Sequence, residues 1–189
     1  MKSMKEKKFE WLAPFIHSDP AEYEEYLEKL ALQGWHPAKI DAWSSIRMAF
    51  VKSEPKQYRY VVDLQPVLRR EYKQLHQDLG WELAGMMSSV VVWRKEYDGA
   101  RPESFSDKES LKRRNKRFSL IIGAVFFVFL VCSALATIGI PISYILLPGK
   151  NSEMIDIITS VAGIIAIDIF TVFFGLAWKK TKQKKSAKF

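Results

Sequence analysis

Asp168 is the residue whose position asks most of its surroundings. It stands near the middle of an apolar run, Ile155 to Trp178, in which Asp156 is the other charge. A bare carboxylate is costly in hydrocarbon. Such a residue serves a proton, an ion or a partner, or it is protonated or bonded to a polar neighbour. Ser133 and Thr137 in an earlier apolar run are the candidate neighbours. Asp168, Ser133 and Thr137 therefore make a candidate intramembrane polar site for helix pairing.

Other chemistry-bearing residues read more simply. His17, His36 and His76 have no Cys or His partner at metal-ligand spacing, so no metal site is assigned. Glu22, Glu24, Glu25 and Glu28 read as the solvated face of a helix, with acids favoured near its N-terminal end. Asp63 closes an apolar strand and reads as a polar contact to the following turn. No glycine-rich phosphate loop, Gly-x-Ser-x-Gly elbow or His-Glu-x-x-His motif occurs, so no catalytic residue or cofactor is assigned. The single Cys132 reads as a small apolar side chain, with no disulfide framework. Most tryptophans read as core. Trp43, in a loop between strands, is the expected exposed exception and the candidate interaction hot spot.

The elements that must position these residues fall into two parts. Ser119 to Leu147 carries no charge. About 20 helical residues cross the roughly 30 Å apolar core of a bilayer, and both apolar runs meet that length. They predict a transmembrane hairpin over 119–178, with helices at about 119–140 and 155–178. Pro141 should kink the first helix or end it near Ile138. Pro148 to Glu153 should supply the turn. Small residues at Ala134, Ala136 and Gly139, and at Ala162, Gly163 and Ala166, offer positions of close helix approach.

Charge placement sets the orientation. Residues 1–107 are close to neutral, and the formal +8 arises from clusters at 108–118 and 179–189. Basic clusters flanking apolar runs hold those ends in the cytoplasm beside anionic lipid. This predicts a multi-pass cell-membrane protein with both termini cytoplasmic, a basic linker over 108–118 and a basic tail over 179–189. The same placement argues against a nucleic-acid partner. Met1 to Lys8 leads into no apolar core, so a cleaved signal peptide is not expected.

Residues 1–107 predict a cytoplasmic α+β domain. Asp19-Pro20 opens a helix over Ala21 to Gln33, with Tyr23, Tyr26, Leu27, Leu30 and Ala31 as its apolar stripe and Gly34 after it. Strands are expected at Phe9 to Ile16, Trp35 to Ile40, Ile46 to Val51 and Tyr58 to Leu64. The pattern then returns, with a helix over about Leu68 to Leu79 and strands at Trp81 to Ala84 and Ser89 to Lys95. Glu25-Tyr26 recurs as Glu71-Tyr72 and Gly34-Trp35 as Gly80-Trp81, both offset by 46 residues. The economical reading is a duplicated β-α-β-β antiparallel sheet domain, units about 9–52 and 58–95, with two helices on one face. An all-α transmembrane helical hairpin follows it.

The stretch Glu25 to Trp35, with Phe50, Tyr58 to Asp63, Glu71-Tyr72, Gly80-Trp81-Glu82 and Phe105-Ser106-Asp107, resembles the bacterial domain-of-unknown-function 2812 family. The likeness covers roughly residues 8–110. It implies two or more membrane helices after the domain, and some members lie near PadR-like transcriptional regulators. It implies no activity and no ligand residues.

These readings converge on a non-enzymatic, membrane-anchored sensing or scaffolding module. Its expected partners are anionic lipids and either a second copy or another membrane protein. Two alternatives stand beside it: an accessory component of an envelope-stress or antimicrobial-resistance transport system, and an enzyme whose site forms at a subunit interface.

Overall fold

A computed structural model describes residues 6–102, 108–146 and 154–186. The expected turn at 148–153 and the 105–107 part of the family likeness lie outside the described residues. The chain divides into two compact units, Met1–Phe118 and Ser119–Phe189.

The first unit is built from two repeats. One runs through strand β1 (Lys7–Trp11), a one-turn helix α1 (Ala13–Ile16), helix α2 (Pro20–Leu32), strand β2 (Trp35–Pro37), a 3-10 turn at Ala42–Ser45 and strand β3 (Arg47–Lys52). The other runs through β4 (Tyr58–Leu64), α3 (Arg70–Asp78), β5 (Glu82–Met87) and β6 (Val90–Glu96). Each makes a three-stranded antiparallel sheet, ordered β1-β3-β2 and β4-β6-β5. In both, the last strand sits between the first two. This is the duplicated β-α-β-β pattern.

Local chemistry sets the boundaries. Asp19 caps α2 by accepting the Ala21 N–H at 2.9 Å, and Pro20 takes the first helical position. Gly34 ends the turn after α2 at a φ of +80°, where a side chain is strained. The strand expected over Phe9 to Ile16 stops at Trp11, because Leu12 turns left-handed (φ 54°) and starts α1. Strand β2 is shorter than expected and ends at Pro37, with one further ladder bond from the Ala38 N–H to the Ala49 carbonyl at 2.9 Å.

The two sheets meet at a single described parallel bridge, between Ile40 and Gly85. A Cβ at position 85 would fall 2.4 Å from the Ile40 carbonyl oxygen, and Gly85 holds a φ of +151°. We expect Gly85→Ala to destabilise the unit by roughly 1–3 kcal/mol through backbone strain alone. An unchanged urea midpoint would show that the repeats do not depend on this approach.

Two apolar clusters fill the unit. The larger joins Tyr23, Leu27, Leu30 and Ala31 of α2 to Met48 and Phe50 of β3, and to Tyr58, Tyr60, Val62 and Val92 of the second sheet. The smaller lies on the opposite face of that sheet, where Val61, Trp81, Val91 and Trp93 pack with Leu68 and Tyr72. The second sheet is therefore covered on both faces. This explains why strand β4 is buried along almost its whole length, with no exposed alternate face.

Two long helices complete the chain, α4 (Lys108–Leu146) and α5 (Met154–Ser186). The opening turns of α4, to Phe118, belong to the first unit, so the basic stretch 108–118 is helical. Helix α4 passes through Pro141 without ending. Leu111–Ile142 and Asp156–Thr181 are long and apolar enough to cross a membrane, and both are mostly exposed, unlike the core helix of a soluble protein. In the second unit the helices run side by side as an antiparallel hairpin. Thr181 bonds Ser119 at 3.2 Å, Phe126 stacks on Trp178, and Phe129 stacks on Phe174 and Phe170. Close approach occurs at Gly123 and Gly175, where a Cβ would crowd Trp178 and Phe126 respectively. Of the six small residues expected to do this, Gly139 and Gly163 stand in open space, where an added Cβ would meet nothing within 4 Å.

Candidate functional site

The densest polar constellation in the first unit sits between α2 and β4. Among the described residues strand β4 is an edge strand, paired with β6 alone. The peptide groups of Tyr60 and Val62 on its free side are met by side chains in place of a further strand. Glu28 Oε1 accepts the Tyr60 N–H at 3.2 Å, and Glu24 Oε1 accepts the Val62 N–H at 3.0 Å. The Tyr60 carbonyl accepts from Arg59 Nη1, and the Val62 carbonyl accepts from Arg114 Nη1 at 3.2 Å. A buried edge without such partners would leave four orphaned backbone groups.

The same side chains form an ionic network. Arg59 donates to Glu24 at 3.0 Å and to Glu28 at 2.7 Å, and Arg101 reaches both Glu28 oxygens at 3.0 Å. Arg114 donates to Glu24 at 2.5 Å. Glu24 is 2% exposed and Arg114 5%. The expectation that Glu24 and Glu28 lie on a solvated helix face is thus overturned, although Glu25 is exposed as expected. The reason is that α2 is covered on two sides. Its apolar stripe meets the core, while the adjacent stripe meets the strand edge. Phe118, one helical turn after Arg114, packs against the larger apolar cluster. Together they seat the opening turns of α4 in the domain.

A second polar group surrounds Asp63. It accepts from the Leu64 N–H at 2.8 Å, and from Gln65 Nε2 and the Tyr72 hydroxyl at 2.9 Å each. Burial first, and Asp63 second, push the Tyr72 phenol well above its ordinary range. Gln65 and Tyr72 also line an open cavity of about 670 Å³, with Pro66, Val67, Arg69 and Glu71. Burial likewise pushes Tyr26 and Tyr60 up to about 12. An unfolded phenol titrates near 10. The stability these groups contribute is therefore full below about pH 10 and falls as pH rises through their folded values. Urea midpoints at increasing alkaline pH should decline over that window.

The histidines serve packing and local bonds. His17 bonds Glu22 at 3.2 Å and stacks on Tyr26, His36 bonds the Glu54 carbonyl at 2.8 Å, and His76 stacks on Trp93. Among the described residues, no group of three His, Cys, Asp or Glu is placed to hold a metal.

Among the described residues, the sheet β1-β3-β2 is buried on one face only. Met48 and Phe50 point into the core, and Glu10 lies on that side, hydrogen-bonded to Tyr26. On the other face the register pairs Phe9 with Ala49 and Trp11 with Arg47. Phe9 is 48% and Trp11 61% exposed, and the Arg47 guanidinium stands 5.0 Å and 5.9 Å from their ring centroids. Sequence alternation alone does not single out this face, because the tryptophans other than Trp43, Trp11 among them, read as core. Trp43 is held in the 3-10 turn, where Asp41 accepts its N–H at 3.1 Å, and its side chain is 74% exposed.

In the second unit, Ser133 donates a hydrogen bond to Asp168. Thr137, one turn further along α4, is exposed. An open groove of about 390 Å³ beside Asp168 is lined by Ile165, Ile169 and Val172.

An antiparallel, duplicated α+β domain followed by a pair of membrane-length helices defines a membrane-associated class of protein. The family described as "Protein of unknown function (DUF2812)" matches residues 19–127, more than half of the chain, and the protein belongs to it. Comparison with curated proteins and with solved structures finds no match.

Proposed function

We propose that the protein is a membrane-anchored cytoplasmic module that senses or scaffolds through binding, and is not an enzyme. The observation that carries this reading is the burial of Arg114 against Glu24 and Val62. Arg114 belongs to the helix whose long uncharged stretch begins just beyond Arg117. A change in α2 or β4 therefore acts on the start of that helix. The buried polar groups are also committed to closing a strand edge, which is a structural task.

The basic clusters at 112–117 and 179–185 favour both termini in the cytoplasm, beside anionic lipid. Trp43 is the proposed protein-contact residue of the domain, being a large aromatic held outward by a capped turn. Asp168, with Ser133, is the proposed polar contact in the bilayer for a second copy or another membrane protein.

Crosslinking of the full chain in its native membrane, followed by mass spectrometry, tests the reading. We expect a reproducible membrane partner that is lost from Arg114→Gln while that variant still inserts. Capture unaffected by Arg114→Gln would overturn the coupling, and substrate turnover by the purified protein would overturn the non-enzymatic reading.

A further inference from the structure

We propose that the open face of the β1-β3-β2 sheet docks on the surface of an anionic bilayer, seating Phe9 and Trp11 at the headgroup level between Lys7 and Arg47. The proposal rests on the membrane-anchored reading above and extends it to a surface of the domain itself.

The first argument is the contrast between the two sheets. Both repeats have the same strand order. The second sheet is covered on both faces, by the larger cluster and by the smaller. Among the described residues the first sheet is covered on one, and its other face carries Phe9, Trp11, Ala49 and Val51. Large aromatic side chains gathered on one face of a sheet mark an interaction surface more often than chance exposure does.

The second argument is charge. Register places Lys7 beside Val51, Phe9 beside Ala49 and Trp11 beside Arg47. The charged residues among these six are both basic. The carboxylate of the same strand, Glu10, lies on the opposite face. A surface that is cationic and aromatic complements anionic headgroups above an apolar boundary.

The third argument is side-chain geometry. The Arg47 guanidinium spans both rings, within cation–π distance of each. Such a group can meet a lipid phosphate while the rings it covers enter the interfacial layer, where tryptophan is enriched. A protein partner would also accept Trp and Arg. The bilayer is favoured because the chain carries its own membrane-length helices, so the face need only bind weakly to a surface held at high effective concentration.

The test uses the full chain with Cys132→Ser and a nitroxide on Ala49→Cys, in nanodiscs containing phosphatidylglycerol, in phosphatidylcholine nanodiscs and in detergent. A second label on Leu135→Cys reports the first membrane helix. We expect the label at position 49 to gain oxygen contact and lose contact with a water-soluble nickel chelate in the phosphatidylglycerol discs only. Phe9→Ser with Trp11→Ser should return it to water with the thermal transition unchanged, and Arg47→Gln should weaken the dependence on anionic lipid. A label equally water-exposed in all three media would overturn the proposal. So would protection that persists in detergent, which would identify a second copy or another protein as the occupant. If the label at 135 is itself in water, the membrane-anchored reading fails. If 135 is in lipid and 49 in water, only the docking fails.

Discussion

Glu24→Ala is expected to lower the unfolding free energy of the α+β unit by about 3–5 kcal/mol, the range for breaking one partner out of a buried ion pair. Glu24 accepts from Arg59, Arg114 and the Val62 N–H. Its loss leaves the buried Arg59 and Arg114 guanidiniums each short of one carboxylate partner, and one strand-edge N–H without an acceptor. The comparison with Glu24→Gln separates the two effects. The amide keeps an acceptor for Val62 but supplies no charge, so its loss should be smaller. Glu24→Leu combined with Arg114→Leu should destabilise by less than the two singles added, because residues in one network are coupled. Urea unfolding of the full chain in micelles, followed by tryptophan fluorescence, measures all five variants. If Glu24→Ala shifts stability by under about 1 kcal/mol, the cluster is not what closes the strand edge.

The reach of sequence reasoning follows the range of the interactions that decide each feature. The repeat was legible because a 46-residue offset of Glu-Tyr and Gly-Trp pairs reports two copies of one local pattern. The hairpin was legible because hydrocarbon imposes length and apolarity on every residue it contacts. Strand β4 was placed over Tyr58–Leu64 by its alternation. The network was not legible. Helical periodicity gave α2 one apolar stripe, and Glu24 and Glu28 fell outside it. Nothing local indicates that a second stripe is buried against an edge strand, or that its partner lies 90 residues away at Arg114. Arg59 is hidden for the same reason, since its alternation with Tyr58 and Tyr60 does not say what covers the face on which it falls. Near Asp168 the residue types point equally to Ser133 and Thr137, and only the rotation of the helices decides that Ser133 is the one hydrogen-bonded to it. Gly123 and Gly175 were missed, because which glycines meet a bulky ring depends on the rotation of each helix.

The other large effect is expected at Trp93. The 46-residue repeat makes Trp35 and Trp81 paired core positions, yet Trp35 is only partly buried and sits beneath the Lys52 ammonium at 4.8 Å. Trp93 is fully buried in the central strand of the second sheet, with its ring centroid 4.7 Å from that of His76 and 6.1 Å from that of Tyr72. Trp93→Ala should cost about 3–5 kcal/mol, since the walls of such a cavity belong to strands and a helix that cannot all collapse into it. Trp81→Ala should approach that value, and Trp35→Ala should fall below it. Trp43→Ala should stay within about 0.5 kcal/mol, because its ring displaces little water from the fold. This ordering, read from thermal or urea midpoints of the four variants, discriminates between packing and surface roles for the tryptophans. A severe loss on Trp43→Ala would remove it as a free contact residue. A mild loss on Trp93→Ala would mean that α3 closes readily over the sheet.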